Sequence, residues 1–180
     1  MAGSLREEYA AEKQNLQKLL TGARMVEFCY GEIFSLFFEQ VFCCERNQQY
    51  YDIRIPMALR IDAPCWFGKK EEWMAKAETF GNGGESADCL LACELARLRY
   101  HNLIDVEKVD FLEDHMEITF PEGNTLSMPY ESESDCEWYL EEVGQKKESE
   151  RMVISCSGKE LFQNNIEKAG LGSFLQKNFV

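Results

Sequence analysis

Residues 106–139 read VEKVDFLEDHMEITFPEGNTLSMPYESESDCEWY, and their pattern decides the fold. Val109, Phe111, Met116, Ile118 and Phe120 are apolar, with Asp110, Glu117 and Thr119 between them. A period of two lets one face of a strand be buried while the other stays wet. Glu113-Asp114-His115 predicts a polar turn. Pro121-Glu122-Gly123-Asn124 predicts another, since proline presets φ and glycine or asparagine accepts a positive φ. Thr125-Leu126-Ser127-Met128 alternates again and stops at Pro129. Three antiparallel strands in meander order are expected.

The same reading extends toward the N-terminus. Met25 to Cys29 is strand-like and leads to a turn at Tyr30-Gly31-Glu32. The apolar run from Ile33 to Cys44 reads as a buried strand, a turn near Glu39-Gln40 and a second strand. Residues 50–62 alternate again, and Pro56 marks an edge or a bulge because it cannot donate to the ladder. Val26-Glu27-Phe28 is echoed by Val109-Asp110-Phe111, and Phe34 to Phe38 by Met116 to Phe120. This weak internal repeat predicts two copies of one meander, packed as two sheets or as halves of one curled sheet.

Helices are expected around these strands. Residues 4–21 form one, with Ser4 as cap, Glu7 three positions on and Gly22 after its end. Residues 69–88 read as a flexible loop with a short helical turn around Trp73, flanked by Trp66 and Phe67. Residues 87–103 give the clearest helix, with Leu91, Leu95 and Leu98 on one face. Met152 to Cys156 is a last strand, residues 159–168 a short helix, and Leu171, Phe174, Leu175, Phe179 and Val180 an apolar tail. The fold class is α+β: two antiparallel meanders, a connecting helix and terminal helices. Its segments are 1–22, 23–158 and 159–180.

Charge is unevenly placed. The chain carries a net −13, and residues 105–150 hold fifteen Asp/Glu against three Lys/Arg. Such a face repels nucleic-acid phosphates and steers basic partners. The plainer alternative is a solvated acidic surface. Eight cysteines occur without any Cys-x-x-Cys pair. Cys89, Cys93 and His101 are the nearest approach to metal spacing and do not match a structural zinc site, so no metal or other cofactor is expected. No apolar run reaches membrane-spanning length and the first residues lack a signal-peptide core, which predicts a cytoplasmic protein.

Catalytic motifs are missing: two histidines, no nucleophile elbow, no His-Glu-x-x-His and no phosphate loop. No catalytic residue is assigned. A binding role fits better. Glu131, Glu133, Asp135, Glu137, Trp138, Tyr139, Glu141 and Glu142 interleave aromatic contact area with carboxylates suited to Lys and Arg. The structural alternative is that Trp138 and Tyr139 belong to a strand, with only the acidic residues outside.

The hairpin residues Val109, Phe111, Phe120, Gly123 and Leu126, followed by Asp135 and Trp138, make the order V-x-F…F-x-x-G-x-x-L…D-x-x-W. Over residues 22–156 this resembles small bacterial α+β domains found near polymorphic toxin systems. The resemblance implies an immunity-like role: a non-catalytic protein that occupies a basic, nuclease-type partner by phosphate mimicry. Two other classes stand beside it. One is a small-molecule-binding or hydrolytic domain with an aromatic pocket under residues 69–88. The other is an oligomerisation module using the N-terminal helix and C-terminal tail.

Overall fold

The alternating runs form two antiparallel sheets, of six and four strands, around one apolar core. The computed structural model describes residues 9–46, 48–81, 87–132, 137–144, 147 and 150–166. The large sheet holds β1 (Arg24–Tyr30), β2 (Phe34–Arg46), β3 (Gln49–Ile61), β8 (Trp138–Glu142), β9 (Val153–Ser157) and β10 (Glu160–Asn164), in that order. The small sheet has the order β4 (Trp66–Phe67), β7 (Asn124–Pro129), β6 (His115–Phe120), β5 (Lys108–Phe111). Three helices accompany them among the described residues: α1 (Ala10–Leu20), α2 (Lys70–Gly81) and α3 (Ala87–Tyr100).

The meander of residues 108–129 forms as its period requires. Val109 pairs with Ile118 and Ile118 with Leu126, giving one apolar row across three strands. Asp110, Glu117 and Ser127 make the neighbouring row on the opposite face. Leu36, Phe38, Leu59 and Leu140 from the large sheet join Ile118, Phe120 and Leu126 from the small one in the core. Leu16, Leu19 and Leu20 of α1 and Leu95 and Leu98 of α3 are fully buried in the same cluster. Each such side chain contributes roughly 1.5–3 kcal/mol relative to exposure.

Several expectations are corrected. Ile33 to Cys44 does not turn at Glu39-Gln40. From Phe34 on it is part of one 13-residue strand, paired residue for residue with β3 from Phe34↔Ile61 to Arg46↔Gln49. Pro56 does mark an edge: β8 pairs with β3 only over Met57–Ile61, and Pro56 sits one residue beyond that ladder.

Residues 70–81 are helical, not a loop. Trp73, Ala77 and Phe80 fall at helical spacing and pack on the core, and Glu71 and Glu72 favour the helix N-terminus. Residues 82–86, the glycine-rich part of that reading, lie outside the described residues. The helix expected over 159–168 is replaced at its start by β10. Gly158 and Lys159 both take positive φ and make a two-residue hairpin loop, pairing Ser157 with Glu160 and burying Leu161. The N-terminal cap at Ser4 and the tail from residue 167 lie outside the described residues.

The repeat is visible as two hairpins that differ in register. Phe28 pairs with Leu36, whereas its echo Phe111 pairs with Met116, the echo of Phe34. The offset is two residues, which keeps the second strand's facing, but not the first strand's: Val26 sits at a bulge and is exposed, whereas its echo Val109 is buried. Phe34, Leu36 and Phe38 are buried, as are Met116, Ile118 and Phe120.

Candidate functional site

The acidic segment does not form one open surface. Glu131 is exposed and ion-paired with Lys159. Glu133 and Asp135 lie outside the described residues. Glu137 is buried, and its carboxylate accepts hydrogen bonds from the backbone amides of Ser132 and Gly158, each at 3.1 Å. Trp138 is fully buried, with its indole N–H donating to the Pro129 carbonyl at 3.1 Å. Neither Glu137 nor Trp138 can present itself to a partner, which corrects their placement at a binding surface. Tyr139 and Glu142 are half-buried in β8. Glu141 accepts a hydrogen bond from Arg60 Nε at 2.6 Å.

Folding also supplies cations that the linear count hides. Arg24 lies near Asp105, Lys70 near Asp114 and Lys159 against Glu131, all three from outside residues 105–150. Glu107, Glu113 and Glu122 are exposed, and none of them has an ion-pair partner among the described residues.

His115 begins β6 and is not the tip of a turn. Its ring packs 4.8 Å from that of Trp66, and its Nδ1 lies 2.6 Å from Asp114 Oδ1. The imidazole holds the Asp114 carboxyl below its ordinary value. Lys70 Nζ stands 4.5 Å from the centre of the Trp66 ring. Cys89 and Cys93 are exposed on α3, and His101 follows that helix.

A cavity of about 370 Å³ lies beneath α2 and the start of α3. Phe34, Ile61, Ala63, Trp73 and Leu91 form its apolar walls, while Tyr30, Glu32, Asp62 and Asp88 bring polar groups. The sequence places these residues together for clear reasons. The β1–β2 turn carries Tyr30 and Glu32. The end of β3 delivers Ile61 and Asp62. Asp88 lies in the first turn of α3, where a carboxylate suits the helix dipole. The amides of Asp62 and Ala63 both donate to the Glu137 carbonyl at 3.0 Å, so the cavity loop is tied to the start of β8.

Electrostatics inside the cavity follow from Asp88. Its carboxylate accepts a hydrogen bond from Tyr30 and holds the phenol above its ordinary value. Burial, reinforced by Asp88, pushes the Cys65 thiol up to about 12. Cys65 is therefore a protonated thiol at neutral pH and a poor nucleophile. Among the described lining residues the charged groups are Glu32, Asp62 and Asp88, all carboxylates. Sequence reading found the aromatic Trp73 but missed the carboxylates. They come from three distant segments, and no spacing links them.

Searches of protein families, curated proteins and solved structures find no match to this chain. No helix among the described residues is long and apolar enough to cross a membrane.

Proposed function

We propose that this chain is a non-catalytic binding protein whose ligand site is the cavity beneath α2 and α3. The observation that carries this reading is the lining itself: apolar walls with a few polar groups converging at one place, the usual make-up of a ligand pocket. The protonated Cys65 thiol argues against thiolate nucleophilic chemistry there. Filling the cavity tests the reading. Ala77→Phe projects a ring from α2 into it. Ligand-observed NMR with a fragment mixture should show binders to the wild type that Ala77→Phe no longer retains. Equal retention by both proteins would refute the assignment.

A second reading is an immunity-like inhibitor that occupies a basic, nuclease-type partner through its acidic surface. The exposed Glu107, Glu113 and Glu122, without an ion-pair partner among the described residues, favour it, as does the concentration of charge in residues 105–150. The test is capture of a basic protein at low salt by the wild type and by a variant with these three residues changed to Gln. Loss of the same protein at high salt and in the variant supports the reading. Salt-independent capture by both rejects it.

A further inference from the structure

We infer that a second copy of this chain docks on the open edge of β3, the two β3 strands pairing antiparallel so that Asp52 of each lies opposite Arg54 of the other. This interface is separate from the cavity and does not depend on a ligand there.

The β2–β3 hairpin outruns both of its neighbours. β1 pairs with β2 only as far as Glu39, and β8 pairs with β3 only from Met57 to Ile61. Beyond them the two strands run on as a ribbon, from Gln40↔Ile55 to Arg46↔Gln49. A lone two-stranded ribbon is marginal in water. This one also carries Val41, Tyr50, Tyr51 and Ile53, four of the nine large apolar side chains exposed among the described residues. The Val143 amide donates to the Pro56 carbonyl at 2.9 Å, so the even-numbered residues of β3 turn their backbone groups toward the β8 side. Past Pro56 that side has no strand among the described residues, and Tyr50, Asp52 and Arg54 present open N–H and C=O groups. Sheet edges are blunted by bulges, cover, short length or charge. β1 has a bulge between Met25 and Glu27, and on the β2 side of the ribbon the Val41 amide is taken by Gln40 Oε1. The β3 edge is long and regular, in unbroken register with β2 over 13 residues, and only its charges guard it.

Those charges select the occupant. Asp52 and Arg54 are opposite in sign and two residues apart, so the edge is complementary to itself. Two copies related by a two-fold axis can hydrogen-bond here only in registers that set even residues against even ones. Centring on Asp52 places two carboxylates opposite each other, which is destabilising. Centring on Tyr51 pairs Asp52 with Tyr50 and carries Arg54 past the end of the facing strand. Centring on Ile53 sets Asp52 against Arg54 twice, each pair exchanging two backbone hydrogen bonds. The same register places Ile53 against Ile53 and Tyr51 against Ile55, an apolar row that covers the exposed Tyr51 and Ile53. Val143, bonded to Pro56, ends the added ladder, which runs from Tyr51 to Ile55 in each copy. Asp52 has no ion-pair partner among the described residues, and the Arg54 guanidinium is paired with Glu39 only through Nη1, at 3.1 Å on the surface.

Sedimentation equilibrium of the full chain tests this. The wild type should form a dimer that dissociates on dilution. Asp52→Arg or Arg54→Asp sets like charges opposite each other at both symmetric pairs and should weaken the dimer roughly tenfold or more. The double variant Asp52→Arg/Arg54→Asp restores opposite charges and should regain the wild-type association, which a folding defect would not. Glu39→Gln removes the neighbour of Arg54 within one chain and should leave the dimer intact. Ile53→Cys gives a second readout that needs no charge change. Residues facing each other in a non-hydrogen-bonded pair stand about 4.5 Å apart, within disulfide reach. Mild oxidation should therefore join position 53 of two chains, as mapped by peptide mass spectrometry. A wild type that stays monomeric at every concentration would overturn the proposal, and protected amides at Asp52 and Arg54 in that monomer would assign the edge to another part of this chain. A dimer unmoved by both single charge changes, or cross-linked through other cysteines and not through position 53, would place the interface elsewhere and overturn it as well.

Discussion

Glu137 and Gly158 are joined by a partly buried hydrogen bond: the Gly158 amide donates to Glu137 Oε2 at 3.1 Å. The other carboxylate oxygen accepts from the Ser132 amide at the same distance. One side chain thus holds the chain entering β8 to the hairpin between β9 and β10. Hydrogen bonds to a charged acceptor are about twice as strong as neutral ones, and a buried amide left without an acceptor is costly.

Glu137→Ala should therefore destabilise the protein by about 2–3 kcal/mol, and Glu137→Gln by about 1–2 kcal/mol, because the amide turns a donor toward one of the two N–H groups. Urea unfolding of the three proteins measures this. A Gln variant as stable as the wild type would show that the carboxylate does not brace these loops.

Gln40 does for α1 what Glu137 does for β8. It is buried in β2, and its Nε2 donates to the carbonyls of Leu19 at 3.1 Å and Thr21 at 2.7 Å, while its Oε1 accepts from the Val41 amide. Carbonyls at a helix C-terminus need such donors. Gln40→Leu should cost about 1–3 kcal/mol. Amide hydrogen exchange should quicken in the last turn of α1 before the rest of the core responds. Uniform protection loss would point to general destabilisation and not to a lost cap.

These two residues also explain where sequence pattern misleads. The meander of residues 108–129 was legible because its alternation is uninterrupted and its turns carry the expected chemistry. Gln40 looks like a turn because a polar residue interrupts an apolar run; its partner, the end of α1, is about twenty residues earlier and cannot be read from the run itself. Glu137 looks like part of a charged surface because its amide partners are backbone groups, which no side-chain pattern reveals. Trp73, Ala77 and Phe80 carried a helical period, masked by the charged residues between them and the glycines that follow. The cavity was the least legible feature. Glu32, Asp62 and Asp88 belong to a turn, a strand end and a helix start, and only the packing of α2 and α3 on the sheets brings them together.

Arg60 and Glu141 form a pair on the outer side of β3 and β8. Arg60 Nε lies 2.6 Å from Glu141 Oε1, and Arg60 Nη1 donates to Ser35 Oγ at 3.1 Å. The side chains keep 29% and 16% of their exposure, so solvent screens the pair in part. A double-mutant cycle with Arg60→Met and Glu141→Gln should give a coupling of about 1 kcal/mol. The coupling should shrink in high salt. A coupling of zero at low salt would assign the stability of this region to the strand ladder alone.

Glu94 links the two helices that roof the cavity, and its ionisation should appear in the acid limb of stability. Its Oε1 lies 2.5 Å from Lys76 Nζ of α2, and its Oε2 lies 3.0 Å from Arg97 Nε of α3. Burial raises the carboxyl, but the hydrogen bonds and charges of Lys76 and Arg97 outweigh it and hold Glu94 below its ordinary 4.5. A carboxyl depressed in the folded state binds its proton more readily when unfolded. Its stabilisation is thus complete above about pH 4.5 and is lost as pH falls through the lower folded value. The Lys76 and Arg97 side chains are 53% and 41% exposed, which limits the effect to about 1 kcal/mol or less. For a chain of this length that corresponds to roughly 2–4 °C in Tm. Glu94→Gln should melt below the wild type by that margin from pH 7 to pH 5, and the two melting curves should converge as the pH falls below 4.5. The other carboxylates titrate in both proteins and cancel in the difference. A gap that stays constant through the acid limb would mean that Glu94 acts through packing and not through its charge.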